Sequence, residues 1–539
     1  MSAIASSVDP QSEAFAKNRD AMRELLDGVR LLEERVRAYS ERARPRFEAR
    51  GQLLPRDRVN LLLDRGTPFI ELSTLAGLGM HDDDGDKLPS GGGGINGIGS
   101  VSGVRCMISA SDSGIKGGTS TPMGLKKKLR SQQIALENKL PTVALVESGG
   151  ANLLYQSELF VEGGRTFANQ SRLSAAGIPQ VTVVHGSSTA GGAYVPGLSD
   201  YVVVVRDRAK IFLAGPPLLK AATGEIATGE ELGGADMHAT VVGTAEYIAD
   251  DDAQAIAVAR DVMAKLRWND HLSPHAAPAY QAPLYEAEEL LGLVPVDYSK
   301  PYDVRELIAR LVDGSDFLDF KASFGVATVC GHASIEGHPC GIIGNNGPID
   351  AQGSVKAAHF IQLCCQSATP IIYLQNTTGY MVGKDAEMGG IVKHGSKMIQ
   401  AVANATVPQI TLMVGGSFGA GNYGMCGRSF DPRFIFAWPN YRISVMGGEQ
   451  AAGVMRIVSE AKARRDGNEP DEAAMDKMFN AIVSQINAES TALYATARLW
   501  DDGIIDPRDS RKVLGYALSI CGEAETRPLR SNTFGVARG

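Results

Sequence analysis

Gly186-Ser187-Ser188-Thr189-Ala190-Gly191-Gly192-Ala193-Tyr194 returns 229 residues later as Gly415-Gly416-Ser417-Phe418-Gly419-Ala420-Gly421-Asn422-Tyr423. The spacing extends well beyond the turn. Lys127/Lys356, Pro141/Pro370, Leu145/Leu374, Gly150/Gly379, Pro179/Pro408, Gln180/Gln409 and Thr182/Thr411 are identical at the same offset. A fixed offset held from Lys127 to Tyr194 marks a tandem duplication. In each copy an apolar segment, residues 181–184 or 410–414, runs straight into the glycines. Strand-to-helix turns of this kind present successive backbone N–H groups, so the pattern predicts two oxyanion-type sites.

Working outward, residues 56–72 are echoed by residues 304–320, which starts the duplication far upstream of the turns. The spacing there is longer, so the first copy carries an insertion. The acidic and then Gly-rich residues 80–94 are its expected position, as a surface loop. Residues 269–283, with Pro274, Pro278 and Pro283, read as a linker. The expected division is a helical segment at 1–50, a first domain at 51–268, the linker at 269–283 and a second domain at 284–539. Strand-like runs such as 142–146 alternate with helix-like runs such as 126–138, which predicts an α/β fold with mostly parallel strands.

A length of 539 residues with 44% hydrophobic content supports two buried cores. A net charge of −8 argues against nucleic acid as a partner. The 7 cysteines show no C-x-x-C spacing, which disfavours a zinc ribbon and predicts reduced thiols in a cytoplasmic setting. No metal site is expected. The N-terminus lacks the apolar core of a signal peptide, and no apolar run approaches membrane-spanning length, so no membrane partner is expected.

Neither Gly-rich turn matches the phosphate loop with its Gly-Lys-Ser/Thr end, which disfavours ATP on this chain. No Ser/His/Asp elbow is expected, and there is no H-E-x-x-H motif. His185 precedes the first turn, and a lone histidine at a strand end reads as structural. With no protein base in view, the proton acceptor is expected to come from a cofactor or substrate. The basic run Lys126-Lys127-Lys128, with Arg130, follows Gly117-Gly118. For some of these residues it reads as a solvated helix face, with a phosphate-rich ligand such as coenzyme A as a second use of the cluster.

The chain resembles the carboxyltransferase (β) subunits of biotin-dependent acyl-CoA carboxylases over nearly its whole length. The motifs that carry the resemblance are Gly114-Ile115-Lys116-Gly117-Gly118-Thr119, Glu147-Ser148-Gly149-Gly150-Ala151-Asn152-Leu153, and Thr189-Ala190-Gly191-Gly192-Ala193-Tyr194-Val195-Pro196. Phe212-Leu213-Ala214-Gly215-Pro216-Pro217-Leu218, Glu231-Leu232-Gly233-Gly234-Ala235-Asp236, the second Gly turn and Asp502-Gly503-Ile504-Ile505-Asp506-Pro507 add to it. The resemblance implies two crotonase-type β-β-α superhelix domains, with an active site between the first domain of one subunit and the second of another. It implies that Gly191 and Gly192 amides hold a thioester enolate oxygen, and that Gly419 and Ala420 amides hold the ureido oxygen of biotin. Gly149, Gly150 and Ala151 would line the substrate site, while Gly117, Gly118, Lys127, Ala190, Gly421 and Asn422 are candidates for coenzyme A or biotin. The biotin would be carried by a biotin-carboxylase/biotin-carrier α subunit that uses ATP and bicarbonate, in an α6β6 assembly around a β6 core.

Within that family the chain is most similar to the branch acting on 3-methylcrotonyl-CoA and geranyl-CoA. The methylcrotonyl pattern has a Tyr-Tyr pair after Gly-Gly-Thr, where this chain has Ser120-Thr121. It also has Phe-Gly-Arg-Ile-Phe-Phe-Asn-Gln, where this chain has Gly163-Gly164-Arg165-Thr166-Phe167-Ala168-Asn169-Gln170. Two phenylalanines have become Gly163 and Ala168. Loss of bulk in one direction predicts a pocket for the longer geranyl chain, in catabolism of acyclic terpenes. The second turn, with Ala420 and Asn422 in place of Gly191 and Ala193, is expected to serve biotin. The alternative expectation is a 3-methylcrotonyl-CoA carboxylase β subunit of leucine catabolism; a decarboxylase subunit of a biotin-dependent sodium pump and a non-catalytic CoA-binding scaffold also compete.

Overall fold

The computed structural model describes residues 3–84, 91–270, 272 and 279–537. The core of the expected linker, 271 and 273–278, and part of the expected loop, 85–90, lie outside the described residues. The chain forms two compact units. One contains Leu31–His275, Ala497–Leu499 and Gly522–Gly539; the other contains Met1–Arg30, Ala276–Thr496 and Trp500–Cys521. The division falls within the continuous helix Glu13–Glu41, so residues 1–50 do not form a body of their own.

In the first unit the strands are β1 (Ile70–Leu72), β2 (Gly94–Val101), β3 (Val104–Ser111), β4 (Thr142–Ser148), β5 (Gln180–Thr189), β6 (Tyr201–Val205), β7 (Lys210–Phe212) and β8 (Tyr247–Ala249). Their sheet runs β1-β2-β3-β4-β5-β6-β8, with β7 also paired to β5. β1, β2 and β3 are antiparallel, and β3 through β6 are parallel. Val181, Val183, Val184 and all of Val202 to Val205 are fully buried. Such β-branched runs, covered on both faces, are what a central parallel sheet requires.

The second unit repeats this plan. Its strands are β9 (Leu318–Asp319), β10 (Thr328–Ile335), β11 (His338–Asn345), β12 (Ile371–Thr377), β13 (Gln409–Phe418), β14 (Phe434–Ala437) and β15 (Arg442–Ser444). The order is β14-β13-β12-β11-β10-β9, with β15 paired to β13. Thr142 pairs with Gln180 in the first sheet, and Ile371 pairs with Gln409 in the second, so the 229-residue echo is also an echo of register. Helices Pro122–Glu137 and Ala351–Gln366 cover matching positions and are capped alike, Thr121 accepting from Gly124 N–H and Asp350 from Gly353 N–H.

The copies differ in how the chain reaches these helices. Residues 112–121 connect β3 to its helix, while 346–350 suffice between β11 and the matching helix. The first copy is therefore longer at two places: this connection, which holds Gly117 and Gly118, and the stretch between β1 and β2. All seven cysteines are free thiols. Among the described residues no helix is long and apolar enough to cross a membrane, and no group of three or more His, Cys, Asp or Glu could hold a metal ion.

Candidate active site

β4 and β5 are parallel neighbours, so their carboxyl ends release two loops at one edge of the sheet, where α/β folds bind ligands. In the first loop Ser148 Oγ accepts from Gly150 N–H at 3.1 Å, and Gly150 adopts φ +92°. In the second, Ser188 Oγ donates to the Gly192 carbonyl at 2.9 Å as the chain enters the helical turn Ala190–Ala193. Ala190 carries a Cβ yet sits at φ +52°, a sparsely populated geometry that turns the chain sharply. Gly191 and Gly192 follow, at the opening of the turn, where amides lack acceptors within the helix itself.

A cavity of about 790 Å³ meets both loops. It is lined by Gly118, Ser120, Gly150, Ala151, Ala190, Gly191, Gly192 and Gly163, among others. Helices Pro122–Glu137 and Gln156–Ala175 supply much of the remaining wall. A Cβ built at Gly163 would meet no atom within 4 Å, so the missing side chain leaves open space. This volume lies in the range of pockets that hold drug-sized ligands.

Several expected site residues stand elsewhere. Ala168 is exposed on the far face of its helix and does not line the cavity. Thr121 spends its side chain as the cap of helix Pro122–Glu137. Gly149 and Gly117 shape the loops without lining the cavity; Gly117 sits at φ +62°. Lys127 is buried, its ammonium donating to the carbonyls of Gly94 at 2.7 Å and Gly91 at 3.2 Å, so it is unavailable to a phosphate. The basic run divides: Lys126 is exposed, as on a solvated face, but Lys128 lines the cavity, and burial lowers its pKa to about 8.

Phe167 is a site residue that the motifs did not reveal. Its ring lies 3.5 Å from where a Gly191 Cβ would stand, and it packs edge-on to Tyr194 with centroids 5.8 Å apart. The available signal was helical period: Gly163 and Phe167, four residues apart, share a face, whereas Ala168 does not. His185 is structural, as expected: it is fully buried, and its Nδ1 pairs with Asp252 at 2.8 Å.

The second turn corrects one assignment. The Gly419 N–H donates to the Ser444 carbonyl at 3.0 Å and is therefore not free to hold a ligand oxygen. Gly419 is needed for its backbone, at φ +54° and ψ −146°, a region left almost wholly to glycine. The leading amides of the helix Ala420–Gly424 belong to Ala420 and Gly421, the register partners of Gly191 and Gly192. Gly421 approaches so closely that a Cβ would stand 2.8 Å from Gly379 Cα. Asn422 braces the turn, its Nδ2 donating to Ser417 Oγ at 2.7 Å.

The carboxyl transferase domain family matches residues 46–533. A probable biotin-dependent acyl-coenzyme A carboxylase beta2 subunit of Mycobacterium tuberculosis is 49% identical over 99% of this chain and 100% of that protein. A probable mitochondrial methylcrotonoyl-CoA carboxylase beta chain of Drosophila melanogaster is 47% identical over 99% of this chain and 94% of its own. Among solved structures, the beta subunit of P. aeruginosa geranyl-CoA carboxylase superposes with a TM-score of 0.94, at 60% identity and with full coverage of both chains. Both copies thus carry the crotonase-type α/β fold.

Proposed function

Since the chain belongs to the carboxyl transferase family of biotin-dependent acyl-CoA carboxylases, we propose that it is the carboxyltransferase subunit that carboxylates geranyl-CoA at its γ-methyl carbon. One observation carries the choice of substrate: the cavity beside Gly191 and Gly192 is open at Gly163, where a phenylalanine would fill it. The beta subunit named for geranyl-CoA, at 60% identity, supports the same reading.

The proposed division of labour follows from the two turns. The amides of Gly191 and Gly192 receive the thioester oxygen as the γ-carbon loses its proton and negative charge spreads onto that oxygen. A single donor of this kind is worth about 10²–10³ in rate. Phe167, packed over the turn, keeps water from the forming dienolate. Ala420 and Gly421 present paired amides of the same construction, which fits the neutral carbonyl of a biotin ring. Biotin, carried by the partner α subunit, would supply the CO₂ and a basic nitrogen for the γ-proton. We place the chain in the cytoplasm, where its thiols stay reduced, in an α6β6 assembly with that partner, which consumes the ATP and bicarbonate.

Relatives named for methylcrotonoyl-CoA support a second reading, in which the shorter thioester is the substrate. The test is the reconstituted complex with ATP and bicarbonate, assayed on both thioesters. Geranyl-CoA is expected to be preferred; equal or better turnover of 3-methylcrotonyl-CoA overturns the assignment. Gly163→Phe is expected to lower kcat/KM for geranyl-CoA by up to about 1,000-fold and to change the shorter thioester by less than about tenfold. The extra isoprenoid unit holds five carbons, each contributing roughly 0.8 kcal/mol when buried. An unchanged ratio between the two substrates removes the pocket argument.

A further inference from the structure

Strands β4 and β5 lose register between Val146 and Ser148: Val146 pairs with Val184, but Ser148 pairs with Ser188. Glu147 alone therefore faces His185, Gly186 and Ser187 across this bulge. Its side chain lies over Gly186, where a Cβ would stand 2.8 Å from Glu147 Cγ and 2.9 Å from its Oε1. Glu147 Oε2 accepts from Arg58 Nη1 at 2.8 Å and from Ser113 Oγ at 2.9 Å. Arg58, only 1% exposed, also reaches Asp252 at 3.2 Å, and Asp252 holds His185 of β5. Leu53 N–H and Gln52 Nε2 tie the same cluster to the backbone, onto Asp252 at 2.7 Å and the His185 carbonyl at 3.2 Å.

The second copy has the same bulge, between Gln375 and Thr377, with a different solution. Asn376 stands where Glu147 does, and its Oδ1 would lie 2.3 Å from a Cβ on Gly415, the partner of Gly186. That oxygen accepts from Gly416 N–H at 2.7 Å, so a neutral amide on β12 closes this bulge directly onto β13. The first copy instead uses a half-buried carboxylate, and its charge is neutralised by Arg58 from a separate helix, Pro55–Leu62. Mechanically, the clamp is one residue from Ser148, whose partner Ser188 holds the Gly192 carbonyl.

We propose that Glu147 and Arg58 are positioning residues for the acyl-side oxyanion turn: their part-buried ion pair fixes the bulge from which the loops of Gly150 and of Gly191 and Gly192 emerge. Neither touches the substrate. The inference rests on the functional reading above for its consequence in catalysis, but not for its geometry. A displacement of about 1 Å at such a site lowers rates by as much as about 100-fold, so the clamp is expected to act on kcat.

The experiment uses the full complex and compares wild type with Glu147→Gln, which keeps the shape over Gly186 and removes the charge. The expected result is a kcat reduced about 10- to 100-fold with KM for the acyl thioester changed less than threefold, because the loss is confined to the transition state. Amide hydrogen exchange across 186–192 is expected to quicken in the same variant, and Arg58→Met to reproduce both changes. A kcat within twofold of wild type, or unchanged exchange at those amides, overturns the proposal. So does a loss of melting temperature with normal kcat in the folded fraction. A wild-type complex that carboxylates no thioester overturns the functional reading instead, and the exchange rates then decide on the clamp by themselves.

Discussion

Gly419 shows how a single residue can be essential for a reason other than the one its motif suggests. Its amide is bound to Ser444, so a substitution there removes no donor from the site. What it removes is access to φ +54° with ψ −146°, and a Cβ would also stand 3.1 Å from the Val445 carbonyl. Gly419→Ala is therefore expected to destabilise the fold by about 1–3 kcal/mol, read as a lower denaturation midpoint. Gly191→Ala is expected to differ: its φ is not left-handed, and its added methyl meets only Phe167 at ordinary contact distance. If Gly419→Ala leaves the midpoint unchanged, the backbone argument is wrong.

At the scale of helices and strands, the duplicated caps Thr121 and Asp350 show that the copies share the way each helix starts. Thr121→Ala is expected to cost about 1 kcal/mol of stability and to leave KM for the acyl thioester unchanged, because the hydroxyl caps and does not line the cavity. A raised KM with an unchanged melting temperature would return Thr121 to the substrate site. The offset of 229 residues made the duplicated strands, both Gly turns and these helices legible, since strand–turn–helix units carry local signals. Lys128 and Ala168 were not legible from their motifs. Successive helical residues point about 100° apart, so a run of three lysines does not say which one faces inward. The bond from Gly419 to Ser444 joins the residue after β13 to the end of β15, and no local pattern announces it. Gly163 was legible because what mattered was the absence of a side chain.

At the scale of the whole molecule, the first unit is completed by residues that come last in the chain. Within it, Arg527 donates to Asn269 Oδ1 at 3.0 Å, Asn532 N–H to the Ala175 carbonyl at 2.7 Å, and Val536 N–H to Ser174 Oγ at 2.9 Å. Arg105 beside it pairs with Glu523 at 3.3 Å, next to the buried thiol of Cys106, whose pKa burial pushes up. Deleting residues 522–539 is expected to make Cys106 reactive toward a thiol reagent under native conditions. Cys330 and Cys340, buried in the other unit, should stay protected. Equal labelling of all three would mean that the segment supports the molecule generally and not the first unit in particular.

That arrangement has a consequence for how the protein is made. A ribosome finishes the residues of β1 to β8 before it begins the second sheet, yet the strip that closes this unit, residues 522–539, leaves the tunnel only after that sheet has been made. During that interval the half-built unit must wait with an uncovered flank while a second copy of the same fold is being synthesised behind it. The two sheets have matching registers, so each offers the other's strands a plausible wrong partner. Synthesis speed and chaperone supply, more than final stability, would then set the yield of correctly folded chains.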